Sequence, residues 1–422
     1  MATPLAGELV WYRESGRIEM CVDAPPKVRK VLQNSDANVR VANLKLPWFL
    51  HRRDRSVVYR YPIRLNIEGN QVVAGPVYAI LAGSGTESFL GSRLNFRDLI
   101  QVAKEQGKFV YVVPPENVSV HGAWRGYVRL GYQRWMELPC PSPEAMYNRI
   151  PNRYLENQPM VALAKRRLDD AGIPLFNSDY FNKAVIYDVI RAADLGRYLP
   201  ETSNSFTAPQ LISMLRRNRA VYLKPTGGSI GHGMILIRHQ PAQYAVTVLK
   251  NSTGKTFAVQ SPQDVWRLIR QQRVPGRYVI QAAKSLLEWN GRPCDFRVLL
   301  QKYRGRWKLI GKGVRVAGPN SITTHVPNGG SIANADAVLQ SAFGDRAGEM
   351  SRELQKMTVQ CAQAIDNHYG GALGEMSMDI GLDSSGRLWF FEANSKPMKF
   401  DEPDIRRKSL LGVLARLDEL RP

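Results

Sequence analysis

Residues 221–237 read VYLKPTGGSIGHGMILI. A β-branched and aromatic run ends at Lys224, a loop with four glycines follows, and a second apolar run begins at Met234. The pattern predicts strand, glycine loop, strand. Gly227, Gly228, Gly231 and Gly233 let backbone N–H groups approach phosphate oxygens closely, Ser229 adds a hydroxyl donor, and Lys224 supplies a point charge. The loop is not a P-loop, because GxxxxGK[ST] is absent and a strand stands where the helix should begin. Read alone, these residues fit a flexible glycine hairpin equally well.

The stretch 377–397, SMDIGLDSSGRLWFFEANSKP, reads as a second hairpin that turns at Ser384–Gly386. Asp379 sits in one arm, and Glu392 and Asn394 sit in the other. Glu392 and Asn394 are two apart on a strand and share a face. All three are hard oxygen donors of the kind Mg²⁺ takes beside phosphate oxygens. Acids inside apolar strands are costly to bury without a cation or donor; the alternative here is an ion pair on an edge strand.

The chain has 422 residues, 44% of them hydrophobic. One core stops growing near about 250–300 residues, so two to three domains are expected. No apolar run reaches the roughly 18 residues of a spanning helix. The first residues, MATPLAGELVWYRESGR, lack a basic start before an apolar core, which predicts a cytoplasmic protein. Cys21, Cys140, Cys294 and Cys361 show no CxxC spacing, which argues against a zinc site or a disulfide framework. Fifty-eight Lys and Arg against 37 Asp and Glu leave a net charge of +21. That surplus calls for an anionic partner: nucleotide phosphates, nucleic acid or an acidic peptide.

Segments 1–70 read as a small β-rich module. Lys45, Arg52, Arg53, Arg55, Arg60 and Arg64 interleave there with Trp48, Phe49, Tyr59 and Tyr61. Phosphate contact plus base stacking would suit single-stranded nucleic acid. A sheet with aromatics inward and arginines in water is the better reading. Residues 71–175 alternate strands with the helices NFRDLIQVAKEQG and VALAKRRLDDAG, which predicts a parallel α/β domain. Residues 176–285 carry helices and then the glycine loop. Residues 286–422 carry the hairpin FRVLLQKYRGRWKLIGKGVRVAG, a helix ending at Gly370, and the acidic hairpin.

Lys-Pro before a Gly-rich loop and a late Asp…Glu-x-Asn together resemble the ATP-grasp superfamily, which includes D-alanine–D-alanine ligase and glutathione synthetase. The segments YNRIPNR, SDYFNKAVIYDVI, YLPETSNSF, DFRVLLQK, GVRVAGPNSITTHVPNGGSIA and FFEANSKP are closer still to the YheC/YheD-type, endospore coat-associated proteins of Firmicutes. The resemblance runs from about 140 to 400. It implies an α/β fold with an α+β grasp module, an α/β domain before it, and the small N-terminal β-rich module.

What the resemblance implies for single residues is specific. Lys183 and Lys224 match the phosphate-binding lysines, and Gly228 to Gly233 match the flap that carries Ser229 and Gly231. Gln281 would face the adenine amino group, backbone groups of Ala282 and Lys284 the adenine edge, and Glu288 the ribose hydroxyls. Asp379, Glu392 and Asn394 match the ligands of two Mg²⁺ ions, with Mn²⁺ as a substitute. Arg297 and Arg315 would meet the reacting phosphoryl group. D-alanine–D-alanine ligases carry an arginine two residues before the first metal-binding Asp, where this chain has Ser377. Asn328, Gly329 and Gly330 are candidates for the acceptor side, and Lys396 for contact with an acidic substrate.

The implied activity is ATP-dependent, ADP-forming ligation of a carboxylate to an amine or thiol through an acyl phosphate. An amino acid or acidic peptide would be the substrate, nucleic acid would not be a partner, and the setting would be sporulation. That places the protein in the mother-cell cytoplasm with spore-coat proteins as partners. A competing reading is a spore-coat scaffold that binds ATP without turnover.

Overall fold

The computed structural model describes residues 5–13, 17–22, 30–33, 38–50, 56–120, 122, 124–131, 134–226, 232–250, 253–319, 321–324 and 329–422. Six strands, β1 (Leu5–Tyr12), β2 (Ile18–Val22), β3 (Asn38–Val41), β4 (Leu44–Phe49), β5 (Val57–Glu68) and β6 (Gln71–Ala74), close into a barrel in the order β1-β2-β4-β3-β6-β5. Alternation turns Leu9, Trp11, Met20, Ile63 and Val72 inward. Tyr61 is buried too, and Tyr59 packs against Trp11 at 6.0 Å. Arg60 pairs with Glu8 at 3.1 Å, while Arg64 is exposed. Arg52, Arg53 and Arg55 lie outside the described residues.

The run QVVAGPVYAIL, a single strand by its apolar content, is broken at Gly75-Pro76. Its first half closes the barrel as β6 and its second half, β7 (Val77–Leu81), opens the next sheet. Proline cannot donate to a ladder, so a strand does not continue through it in a sheet interior. A two-strand ribbon follows, β8 (Gly83–Ser84) with β9 (Phe89–Leu90). Then come β10 (Phe109–Val113), β11 (Trp124–Arg129), β12 (Trp135–Cys140), β13 (Ala145–Asn148) and β14 (Leu175–Phe176), in the sheet order β12-β11-β10-β7-β13-β14. Strands β10 and β13 run parallel to β7. Helix α1 (Arg93–Glu105) crosses over between β7 and β10, and α2 (Pro159–Asp170) between β13 and β14. Ser92 caps α1, which buries Phe96, Leu99, Ile100 and Ala103.

After α3 (Lys183–Ala192), a third, antiparallel sheet is built from β15 (Thr202–Ser203), β16 (Ala220–Pro225), β17 (Ile235–His239), β18 (Tyr244–Lys250), β19 (Thr253–Val259) and β20 (Tyr278–Ala282), in the order β15-β20-β16-β17-β18-β19. Helices α4 (Ala208–Arg217) and α5 (Pro262–Gln272) cover one face, where Leu211, Met214, Val265 and Ile269 meet Val221, Leu223, Ile235 and Val246. Tyr222 and Lys224 alternate onto the opposite face.

The fourth sheet comprises β21 (Glu288–Trp289), β22 (Arg292–Tyr303), β23 (Arg306–Val316), β24 (Ser331–Asn334), β25 (Glu375–Leu382) and β26 (Leu388–Asn394). Its order is β24-β23-β22-β25-β26, with β21 on β22. Helices α6 (Ala335–Phe343) and α7 (Ala347–His368) back one face, where Leu354, Met357, Cys361 and Ile365 join Phe296, Val298, Met378 and Phe390 in a core. On the other face lies α8 (Pro403–Leu420), whose Leu410, Val413, Leu414 and Leu417 enter the core of the first two modules. Its Asp418 accepts from Tyr78 at 2.6 Å and pairs with Lys108 at 2.5 Å. Glycine is required under α8: a Cβ on Gly311 would stand 2.6 Å from Ile405. Among the described residues no helix is long and apolar enough to cross a membrane.

Candidate active site

A row of facing residues crosses the fourth sheet: Gly313 on β23, Arg297 on β22, Asp379 on β25 and Glu392 on β26. Asp295 faces Arg315 in a neighbouring row, and Ser377 faces Asn394 on the other side. A bulge explains how β26 serves both faces. The register shifts between Asp379 and Ile380, so Phe390 opposite Ile380 stays in the core while Glu392 opposite Asp379 turns to the site. Asp295, Arg297, Arg315, Asp379, Glu392 and Asn394 therefore share one face.

Arg315 clamps two of the carboxylates. Its Nε donates to Asp295 Oδ1 at 2.9 Å, and its Nη2 lies 2.8 Å from Asp295 Oδ2 and 2.9 Å from Asp379 Oδ2. Thr324 Oγ1 donates to Asp295 at 2.7 Å. Burial opposes the charge on Arg315, but Asp379 and Asp295 outweigh it and raise its pKa above that of an ordinary guanidinium. Arg297 is differently placed. Among the described residues its Nη2 reaches Met398 O, at 3.4 Å, its guanidinium lies over Phe400, and its buried Nε has no hydrogen-bond partner. Burial lowers its pKa, and Asp379 offsets part of that.

Two lysines approach from other elements. Lys183 opens α3, whose cap is Asn182, and its Nζ lies 2.9 Å from Glu392 Oε2. Lys224, at the end of β16, donates to Gln281 Oε1 and lies 5.5 Å from the centre of the Phe391 ring. Burial first, and then the charge of Lys183, pull the Lys224 ammonium down to about 8. The Gln281 amide in turn donates to Tyr187 Oη at 2.7 Å and Thr202 Oγ1 at 3.0 Å. Every polar atom of that side chain is thus engaged.

The remaining candidates spread around this centre. The Ala282 N–H donates to Glu201 O at 2.8 Å. Lys284 lies 4.2 Å from the centre of the Trp389 ring, with Arg387 at 4.1 Å; burial and then Arg387 lower the Lys284 pKa. Glu288 is exposed on β21. Gly329 is exposed and Gly330 half-buried on the approach to β24. Lys396 is buried away from the row, paired with Glu156, which Lys165 also meets at 2.7 Å. Burial brings the Lys396 pKa down to about 8. Gly228, Ser229, Gly231 and Asn328 lie outside the described residues.

Sequence reasoning passed over Asp295, Tyr187 and Glu156. Asp295 carried the same signal as Asp379, an acid inside an apolar strand (CDFRVLL). Tyr187 and Glu156 act through partners distant in the chain and left no local mark.

The YheC/D-like ATP-grasp family matches residues 172–416, more than half of the chain. The protein belongs to the YheC/D-like ATP-grasp family. It is 27% identical over 353 residues to the endospore coat-associated protein YheD of Bacillus subtilis (strain 168), a match covering 80% of this chain and 77% of that one. It is 26% identical over 234 residues to YheC of the same organism, covering 54% and 61%. Among solved structures, the VanG D-Ala:D-Ser ligase from Enterococcus faecalis is similar with a TM-score of 0.50 at 12% identity, over 82% of this chain and 99% of that one. The fold is ATP-grasp: α/β, with the third and fourth sheets as the grasp module.

Among the described residues no group of three His, Cys, Asp or Glu side chains gathers to hold a metal ion. The hairpin offers a different donor set, two carboxylates facing each other and the Asn394 amide two residues on. Those are hard oxygen donors, and they fit a small divalent cation.

Proposed function

We propose that the protein is an ATP-dependent, ADP-forming carboxylate–amine ligase that works through an acyl phosphate on an amino acid or acidic peptide, in the setting of the spore coat. The observation that supports this most is the row Arg297–Asp379–Glu392, with Lys183, Lys224 and Arg315 disposed around it. In the reaction a substrate carboxylate oxygen attacks the γ-phosphorus and the bond to the β–γ bridging oxygen breaks, releasing ADP. The amine nitrogen then attacks the acyl carbon, loses a proton, and displaces phosphate. Such chemistry needs positioning and charge neutralisation more than covalent catalysis.

Lys183 and Lys224 bind the nucleotide phosphates in this reading. Arg297, with an unspent Nε and a half-buried guanidinium, meets the transferred phosphoryl oxygens. Arg315 holds Asp379 in place. Asp379, Glu392 and Asn394 would hold Mg²⁺, two ions or Mn²⁺ in their stead, which supplies charge neutralisation at the phosphoryl oxygens. Gln281, Ala282, Lys284 and Glu288 are the proposed adenosine contacts, Gly228, Ser229 and Gly231 the flap. Asn328, Gly329 and Gly330 are proposed for the acceptor side. Lys396, paired with Glu156, is proposed to contact substrate only if that pair opens.

ADP release from Mg-ATP, with and without pooled amino acids and acidic peptides, tests the proposal. Stimulated release that Glu392→Ala abolishes supports a ligase. Nucleotide binding with no release above background favours the second reading, an ATP-binding coat scaffold, which the names of the two relatives motivate.

A further inference from the structure

From Thr202 to Leu287 the chain has twelve Lys and Arg and one acid, Asp264, so about half of the net charge of +21 sits in a fifth of the chain. Asp264 is already used: it accepts from Ser261 and pairs with Arg267 at 2.9 Å. The excess separates to the two ends of the third sheet. At one end Arg216, Arg219 and Arg238 surround the start of β16. At the other, Lys250, Lys255, Arg270, Arg273 and Arg277 gather about the end of α5 and the β18–β19 turn. Lys250 Nζ reaches Gln272 Oε1 at 3.4 Å, and Arg273 donates to Gly276 O at 3.2 Å. All five are exposed, and none has a carboxylate within ion-pair distance among the described residues. This end also frames the glycine-loop segment: the Thr226 N–H donates to Arg277 O at 2.9 Å and the Gly233 N–H to Leu249 O at 3.0 Å.

We infer that this loop-side cluster is a docking surface for an acidic segment of a polypeptide, bound beside the nucleotide site and not in it. Charge sets the sign of the partner and the absence of other features sets its class. None of the exposed large apolar side chains among the described residues falls between 202 and 287. Phe206 stacks on Tyr278 at 5.4 Å and lies tilted against Trp266 at 5.1 Å, while Lys255 and Arg273 lie over the Phe257 and Phe206 rings at 5.1 and 5.6 Å. Among the described residues this surface thus presents no exposed ring as a stacking platform for bases and no exposed apolar wedge for a lipid surface. It offers guanidinium forks and ammonium groups, which pair with carboxylates and phosphates alike, and with no exposed ring to hold a base the carboxylates of an acidic polypeptide are the partner inferred.

The test is fluorescence anisotropy on the full chain with a labelled deca-glutamate peptide, against deca-glutamine, a 20-nucleotide RNA and anionic vesicles, at several salt concentrations. Two variants with equal change of net charge are compared, Arg270→Glu with Arg277→Glu, and Arg216→Glu with Arg219→Glu. The expected result is salt-dependent binding of deca-glutamate that the first pair weakens about tenfold and the second leaves within about twofold, with nucleotide affinity unchanged in both. Equal weakening by both pairs would reduce the effect to net charge and overturn the inference. So would tighter binding of RNA or vesicles, or loss of the peptide at saturating Mg-ATP. Binding is read without turnover, so its failure leaves the proposed reaction standing.

Discussion

Replacing Arg315 by Met removes one guanidinium and strands two acids. Asp295 and Asp379 are 6% and 7% exposed, and Arg315 lies within 2.9 Å of both. An exposed pair would lose about 0–1 kcal/mol on such a change. Here the cation's departure leaves two neighbouring carboxylates in a low-dielectric setting, with Thr324, among the described residues, still donating to Asp295; the expected cost is about 3–5 kcal/mol. Urea unfolding of the full chain, followed by tryptophan fluorescence, reads the loss directly, and Asp295→Asn in the same chain should restore part of it, because it removes one of the two stranded charges. A deficit below about 1 kcal/mol would refute the clamp.

Asp379→Asn and Glu392→Ala should each lower ADP release by at least about a thousandfold with the circular dichroism spectrum unchanged; near-wild-type turnover in either removes the hairpin from the site. Lys224 has a folded pKa of about 8, below the ordinary lysine value, so the cost of its buried ammonium is present below pH 8 and is relieved as pH rises. ATP affinity should move the other way, falling as pH climbs through about 8, and Lys224→Arg should flatten that profile between pH 7 and pH 9; a pH-independent wild-type affinity would sink the assignment. Gly311→Ala sets a methyl against Ile405 and should cost about 1–3 kcal/mol by overpacking, seen as a lower melting temperature.

The grasp module was legible because its signals are local. Two apolar runs around a glycine loop, and acids set in the apolar arms of a hairpin, can be read from a window of about twenty residues. The barrel was not legible as a barrel. Each strand of 1–70 reads as a strand, but closure depends on β2 running parallel to β4 and β3 parallel to β6, pairings that leave no trace in alternation. Its last strand was hidden by Gly75-Pro76, which divides one apolar run between two sheets. Asp379 and Glu392 could be placed opposite each other from the hairpin turn alone. Their cationic partners came from elsewhere, since Arg315 is two strands away and Lys183 sits on a helix more than two hundred residues earlier. Lys396 shows the limit most plainly: it is two residues beyond Asn394, yet its partner Glu156 belongs to the preceding domain.

The two carboxylates of the hairpin are held with different firmness, and that difference has functional meaning. Asp379 is bound to a buried arginine that is itself fixed in a two-pronged contact with Asp295. Parting that group from its partner would expose a charge to a poorly solvated interior, so its position is set before any ligand arrives. Glu392 instead meets Lys183, whose side chain is 42% exposed. A half-solvated pair of this kind is worth about 0–1 kcal/mol and is screened by salt, so it opens at little cost. In the proposed reaction a phosphate oxygen would draw Lys183 away while a cation takes the freed carboxylate, with no charge stranded in the exchange. On that proposal the hairpin would combine one carboxylate fixed by the fold with one held in reserve by a replaceable lysine, so that nucleotide and metal would enter without first breaking a buried pair.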